Sequence, residues 1–138
     1  MRESSLVVEV NYPVLQVFQV MTNNEVYHWR SDLDHIEIVD DIHFVEYTKQ
    51  GYKTKFTITK KEENCIYEFD MENKQFSGHW IGKLEAVSQH ITKLSLQEKL
   101  YIKNPWMEVL SYLAMPLKKI QKQYVADLQK RLEEIKEE

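Results

Sequence analysis

Five alternate residues, Leu94, Leu96, Glu98, Leu100 and Ile102, place one carboxylate in the middle of an otherwise apolar strand face. An unpaired charge there is costly to bury, so Glu98 must find a partner or lie at the mouth of a cavity. Such a group can act as an acid or base of raised pKa, or fix the polar end of a ligand. It can equally be a rim residue paired with a tyrosine or lysine. Glu98 is the catalytic candidate, and the alternation predicts it to be substantially buried. Its pKa should be raised by desolvation, with a hydrogen bond to a tyrosine hydroxyl or another polar group. Glu46, near Phe44, is a similar case, although the alternation over 42–48 is ambiguous.

Other reactive residue types are not spaced for a known chemistry. The histidines at 28, 35, 43, 79 and 90 form no H-x-x-x-H or H-E-x-x-H pattern, so neither a metal nor a cofactor is expected. His79 lies opposite Trp80 by parity and should face solvent. No serine, cysteine or lysine stands in a nucleophile motif. Cys65 is the single cysteine, which excludes an intramolecular disulfide and suits a reducing cytosol; at the start of a strand it reads as a small packing residue. Three glycines are too few for a glycine-rich phosphate loop.

The elements that must position these residues fit one domain over 1–138. A net charge of −4 gives no basic footprint, which argues against a nucleic-acid partner. No run approaches the ~18 apolar residues of a membrane span, and Met1 to Ser5 lack the apolar core of a signal peptide. A cytoplasmic protein, monomer or homodimer, is expected.

Leu6, Val8 and Val10 alternate as a strand. Pro13 then suits the first position of a helix whose apolar face is Val14, Val17, Phe18 and Met21. Asn23-Asn24 should break it, and Glu25 to Trp29 reads as a second short helix or turn. From Ile36 the period changes to two. Strands are expected over 36–39, 43–49, 52–61, 65–71, 76–87 and 90–103, joined by short turns, as in an antiparallel meander. From Pro105 to about 135 a 3–4 spacing returns, running from Trp106, Val109 and Leu110 to Leu128, Leu132 and Ile135. Its first half, with Met107, Tyr112, Ala114 and Met115, is apolar on nearly all sides and should be buried more deeply than the second. Pro116 should kink it.

Tyr12-Pro13-Val14 with Val17-Phe18, then Phe76-x-Gly78-x-Trp80 and a long last helix, resemble the START-like (SRPBCC) superfamily. The likeness is to its polyketide cyclase/dehydratase and lipid-transport branch, and it covers nearly the whole chain. One departure is Ser88-Gln89-His90, where that family usually has a glycine-threonine turn. The resemblance implies an α+β helix-grip fold: a curved seven-stranded antiparallel sheet around a long C-terminal helix, with two short helices after the first strand. It implies an apolar cavity between sheet and helix, and functions as diverse as lipid or polyketide binding, cyclisation, coenzyme-Q binding and chaperone partnership. Fold does not choose among these.

Strand parity supplies the cavity's expected lining: Phe56, Ile58, Tyr67, Phe69, Trp80, Leu96 and Glu98 from the sheet, and Trp106, Leu110 and Leu113 from the first half of the last helix. His28 and Trp29 follow the second short helix, over the cavity entrance in this architecture, and are candidates for the mouth. Gly78 and Gly82 flank Trp80 on one face, leaving room for the indole, a sheet bend or a ligand. The expected function is binding of a small hydrophobic ligand, lipid-, polyketide- or aromatic-like. A cyclase/dehydratase-type enzyme using Glu98 or a tyrosine, and a chaperone-partner-like interaction module, are the alternatives. A large apolar cavity favours binding, a smaller one with converging Glu98, tyrosine and histidine groups favours catalysis, and a filled cavity with an exposed apolar patch favours a partner.

Overall fold

The structure, a computed structural model, describes residues 1–137, the side chains of 113, 114 and 137 excepted. Strand β1 (Arg2–Val10) and helix α1 (Val14–Thr22) are followed by six strands: β2 (Leu33–Ile38), β3 (His43–Thr48), β4 (Lys53–Glu62), β5 (Ile66–Glu72), β6 (Phe76–Ser88) and β7 (Ile91–Ile102). Helices α2 (Pro105–Ala114) and α3 (Leu117–Glu137) complete the chain. The seven strands form one antiparallel sheet in the order β1-β7-β6-β5-β4-β3-β2. The first strand therefore closes against the last. The alternating pattern predicted the antiparallel meander, and the family resemblance its curved seven-stranded α+β form.

Three local expectations are corrected. Pro13 occupies the N-cap position, one residue before the helix, and its carbonyl accepts from the Val17 amide at 3.2 Å. The second short helix expected over 25–29 is a pair of turns, closed by Val26 N–H to Asn23 O and Arg30 N–H to Tyr27 O. The Asn23 side chain also accepts from the Glu25 amide, an alternative to helix for a segment too short to propagate one. Pro116 does more than kink the last helix: it divides it. Met115, before the proline, leaves the helical region at φ −140° and ψ 75°, and α3 starts anew at Leu117.

That division reverses the expected burial. Trp106 is 77% exposed, and Met107, Val109, Leu110 and Tyr112 are exposed with it. It is α3 that grips the sheet, burying Leu117, Gln121, Val125, Leu128 and Leu132 at a 3–4 spacing against β1 and α1. Val10, Val17, Leu94 and Leu128 are completely buried there. Arg2, also buried, donates to the carbonyls of Ser111 and Met115 at the end of α2, placing a cation on the negative end of that helix.

The two β6 glycines are required by close approach. A Cβ on Gly78 would lie 2.6 Å from Leu100 Cδ2 and 2.8 Å from the Lys99 carbonyl oxygen. A Cβ on Gly82 would lie 2.9 Å from the Trp80 ring. Of the three uses anticipated for the space, Gly82 serves the indole, and Gly78 admits Leu100.

Candidate functional site

The concave face carries a continuous aromatic floor. Phe44 of β3 is cross-strand to Phe56 of β4, and Phe69 of β5 to Trp80 of β6. Both pairs stack, with ring centroids 4.8 Å apart, and Phe56 meets Phe69 edge-to-face at 5.1 Å. Strand alternation repeated at matching register is what lines these rings up. Tyr124, from α3, caps the row edge-to-face on Trp80 at 5.8 Å. Between floor and helix lies a cavity of about 250 Å³.

One side of this cavity is polar. Arg30, from the turn before β2, donates to both carboxylate oxygens of Asp32 at 3.1 Å and to Glu46 at 3.4 Å. Its guanidinium also lies 5.2 Å over the Tyr124 ring. Burial works against this cation, but the charges of Glu46 and Asp32 outweigh it and hold Arg30 firmly protonated. Glu46 is pushed up by burial, with Arg30 pulling it back. Asp127 of α3 accepts from the Ser31 amide and hydroxyl and from Gln123, pinning the loop to the helix. The Tyr67 hydroxyl, raised to about 12 chiefly by burial, accepts from Asn24. Burial raises Tyr124 as well.

Glu98 lies in the cavity wall opposite this group, with its pKa raised to about 7, first by burial and then by the charge of Glu46; Arg2 and Arg30 pull the other way. The expected burial and shift are both present. The expected hydrogen bond is not: no donor among the described residues reaches its carboxylate. Its cross-strand neighbour Ser4 donates to Gln121 instead, and the Gln121 amide returns a bond to the Ser4 carbonyl.

A pH dependence follows. Below about 4.5 the carboxyl is protonated in both folded and unfolded chains. Between there and about 7 only the folded chain keeps the proton, so stability falls as pH rises through this window. The fall attributable to Glu98 should be on the order of 3 kcal/mol. Urea unfolding at about pH 5 and about pH 8 should show it in the native protein and not in Glu98→Gln. His79 and Glu46, both raised, add to the slope in both proteins, so the difference reports Glu98 together with its charge coupling to Glu46. Equal slopes would mean that the carboxylate is solvated.

No family model and no curated protein sequence matches the chain. Solved structures do match. A START superfamily protein from Mycobacterium smegmatis superposes with a TM-score of 0.80 at 16% identity, over 96% of this chain and 98% of that one. The chain has a START-like fold. A conserved protein from Geobacillus kaustophilus gives 0.82 at 11% identity, over 96% of each chain. The Zhui aromatase/cyclase from Streptomyces sp. R1128 gives 0.79 at 10%, over 96% and 93%. Identities this low speak for fold alone.

Within the START-like frame, Phe56, Tyr67, Phe69, Trp80, Leu96 and Glu98 come together on the cavity wall. Ile58 does not join them; it is half-buried against the core. Trp106 and Leu110 stand in solvent, because the break at Pro116 takes α2 off the sheet. The Leu113 side chain lies outside those described. Trp29 packs on Tyr124 at 5.6 Å, outside the cavity, in a groove shared with Arg131 and Ile135. His28 is exposed and lines nothing here. His79 is on the convex face, as parity required, between Asp70 at 2.5 Å and Glu68 at 2.6 Å. Burial opposes its protonation, but these two bonds prevail and raise its pKa.

Sequence reasoning missed Arg30, Asp32, Asn24 and Asp127. The only available signal was for Asp127, which shares a helix face with Tyr124 and Leu128. Among the described residues no cluster of three or more His, Cys, Asp or Glu side chains could hold a metal ion. Among the described residues no helix is long and apolar enough to cross a membrane.

Proposed function

We propose that this protein binds a small, largely hydrophobic ligand in the cavity between the sheet and α3. The observation that carries the reading is an aromatic floor facing one carboxyl group without a partner, Glu98. Apolar walls hold the body of a ligand, and a single polar group orients it. The volume of about 250 Å³ lies just under the ~300–1,000 Å³ usual for such sites, which favours one or two rings over a long acyl chain. The START superfamily protein and the aromatase/cyclase that share the fold support a ligand-holding use of it. Native mass spectrometry of gently purified protein should show a bound small molecule, and 1-naphthol should shift the Trp80 indole resonance. If no mass is added and no resonance moves, the reading fails.

A second reading is acid–base catalysis on such a ligand. It is favoured by Glu98, whose pKa of about 7 suits proton transfer near neutrality. In that case Glu98→Gln should abolish turnover while binding survives. The interaction-module reading asks for a filled cavity; its remaining support is the exposed apolar surface of α2.

A further inference from the structure

The charges around the cavity are unbalanced. Four carboxylates line it: Asp32, Glu46, Glu98 and Asp127. One cation does, and no lysine or histidine among the described residues joins it. That cation, Arg30, is already shared between Asp32 and Glu46. Asp127 is satisfied by neutral donors from Ser31 and Gln123. Glu98 is left over. Its neighbours on β1 and α3 bond elsewhere: Ser4 and Gln121 with each other, and Arg2 Nη1 with the carbonyls of Ser111 and Met115, although the buried Arg2 Nε has no partner. The charges of Arg2 and Arg30 reach this largely buried carboxyl group and that of Glu46 opposes them, but no cation among the described residues is hydrogen-bonded to it. The π systems of Trp80, cross-strand to Glu98, and of Tyr124, packed on Trp80, also attract cations. A ligand anion would be repelled, and a carbonyl acceptor would bring its negative end into the same field.

Resting on the reading of the cavity as a ligand site, we propose that its ligand is an organic cation: a protonated amine on an aromatic-sized apolar body, its ammonium group bonded to Glu98. The test compares three probes of one shape, 2-phenylethylamine, 2-phenylethanol and phenylacetate. Binding is measured calorimetrically at about pH 8, above the Glu98 midpoint and below the ~10 of an alkylammonium. The amine should bind at least roughly tenfold more tightly than the alcohol, and the acid most weakly. Repeating the amine titration at about pH 6, in buffers of different ionisation enthalpy, should show a proton released from the protein, because the bound ammonium favours the Glu98 carboxylate. In Glu98→Gln the preference for amine over alcohol should vanish while the alcohol still binds. If the alcohol matches or exceeds the amine on the unaltered protein, the cavity is a ligand site and the cation inference is wrong. If none of the probes binds and 1-naphthol leaves Trp80 unmoved, the ligand-site reading falls and this inference falls with it.

Discussion

Arg30→Met should destabilise the protein by about 3–5 kcal/mol near pH 8, the cost of leaving a buried carboxylate without its partner. The carboxylate is Glu46, whose side chain is only 14% exposed. Asp32, the other acceptor, is half in solvent and can be rehydrated at little cost. Methionine keeps the length of the arginine stem but loses the guanidinium's contacts over the Trp29 and Tyr124 rings, so controls must separate the Glu46 charge from that loss. Two controls sharpen the result. At about pH 5 the loss should shrink, because Glu46, already raised by burial, takes up a proton once the guanidinium is gone. Arg30→Met combined with Glu46→Gln should recover most of the stability, a coupling that urea unfolding of the four proteins in the cycle measures directly. A loss that is equal at both pH values and unrelieved in the double variant would mean that Arg30 acts by packing.

Leu128→Ala should cost about 2–5 kcal/mol, the range for deleting a fully enclosed leucine side chain. Leu128 has no exposed surface and sits among Val10, Val17 and Leu94, where α3, α1 and the sheet converge. Leu110→Ala in α2, at a position 54% exposed, should change stability by no more than about 0.5 kcal/mol. The pair tests which half of the C-terminal region grips the sheet. If Leu110→Ala proved the more damaging, α2 would have to lie against the sheet, as its apolar composition suggested.

That composition misled because hydrophobic pattern reports what could be buried, not where the chain will bend. Trp106 to Met115 is apolar apart from Glu108, Ser111 and the Tyr112 hydroxyl, whereas α3 shows an ordinary amphipathic stripe. The backbone decided otherwise at Met115-Pro116, where one missing amide turns the chain. Strands were far more legible. A period of two fixes which side chains share a face, so Phe56, Phe69, Trp80, Leu96 and Glu98 could be assigned to one wall before their partners were known. β3 was the exception: Phe44 and Val45 are both buried, which blurs the parity that would have placed Glu46 inward. The Arg30 cluster was invisible for a different reason. It is assembled from a turn, a strand and a helix far apart in sequence, and such convergence leaves no local pattern.

The pairing of β1 with β7 has a consequence for how the protein comes to be folded. The strands from β2 to β7 meet their neighbours through short turns, so their contacts can form as soon as they are synthesised. β1 must wait: Glu3 and Gln97, bonded across this seam, are 94 residues apart. Joining such distant segments carries a large chain-closure entropy and is favoured only once the meander is in place. Docking of β1, and of α3 upon it, is therefore expected to be the last step of folding, and its reversal the first step of opening. Ser4 and Arg2, the β1 neighbours of Glu98, arrive in that step. Amide hydrogen exchange should accordingly show β1 and α3 opening together at a lower free energy than β4 to β6.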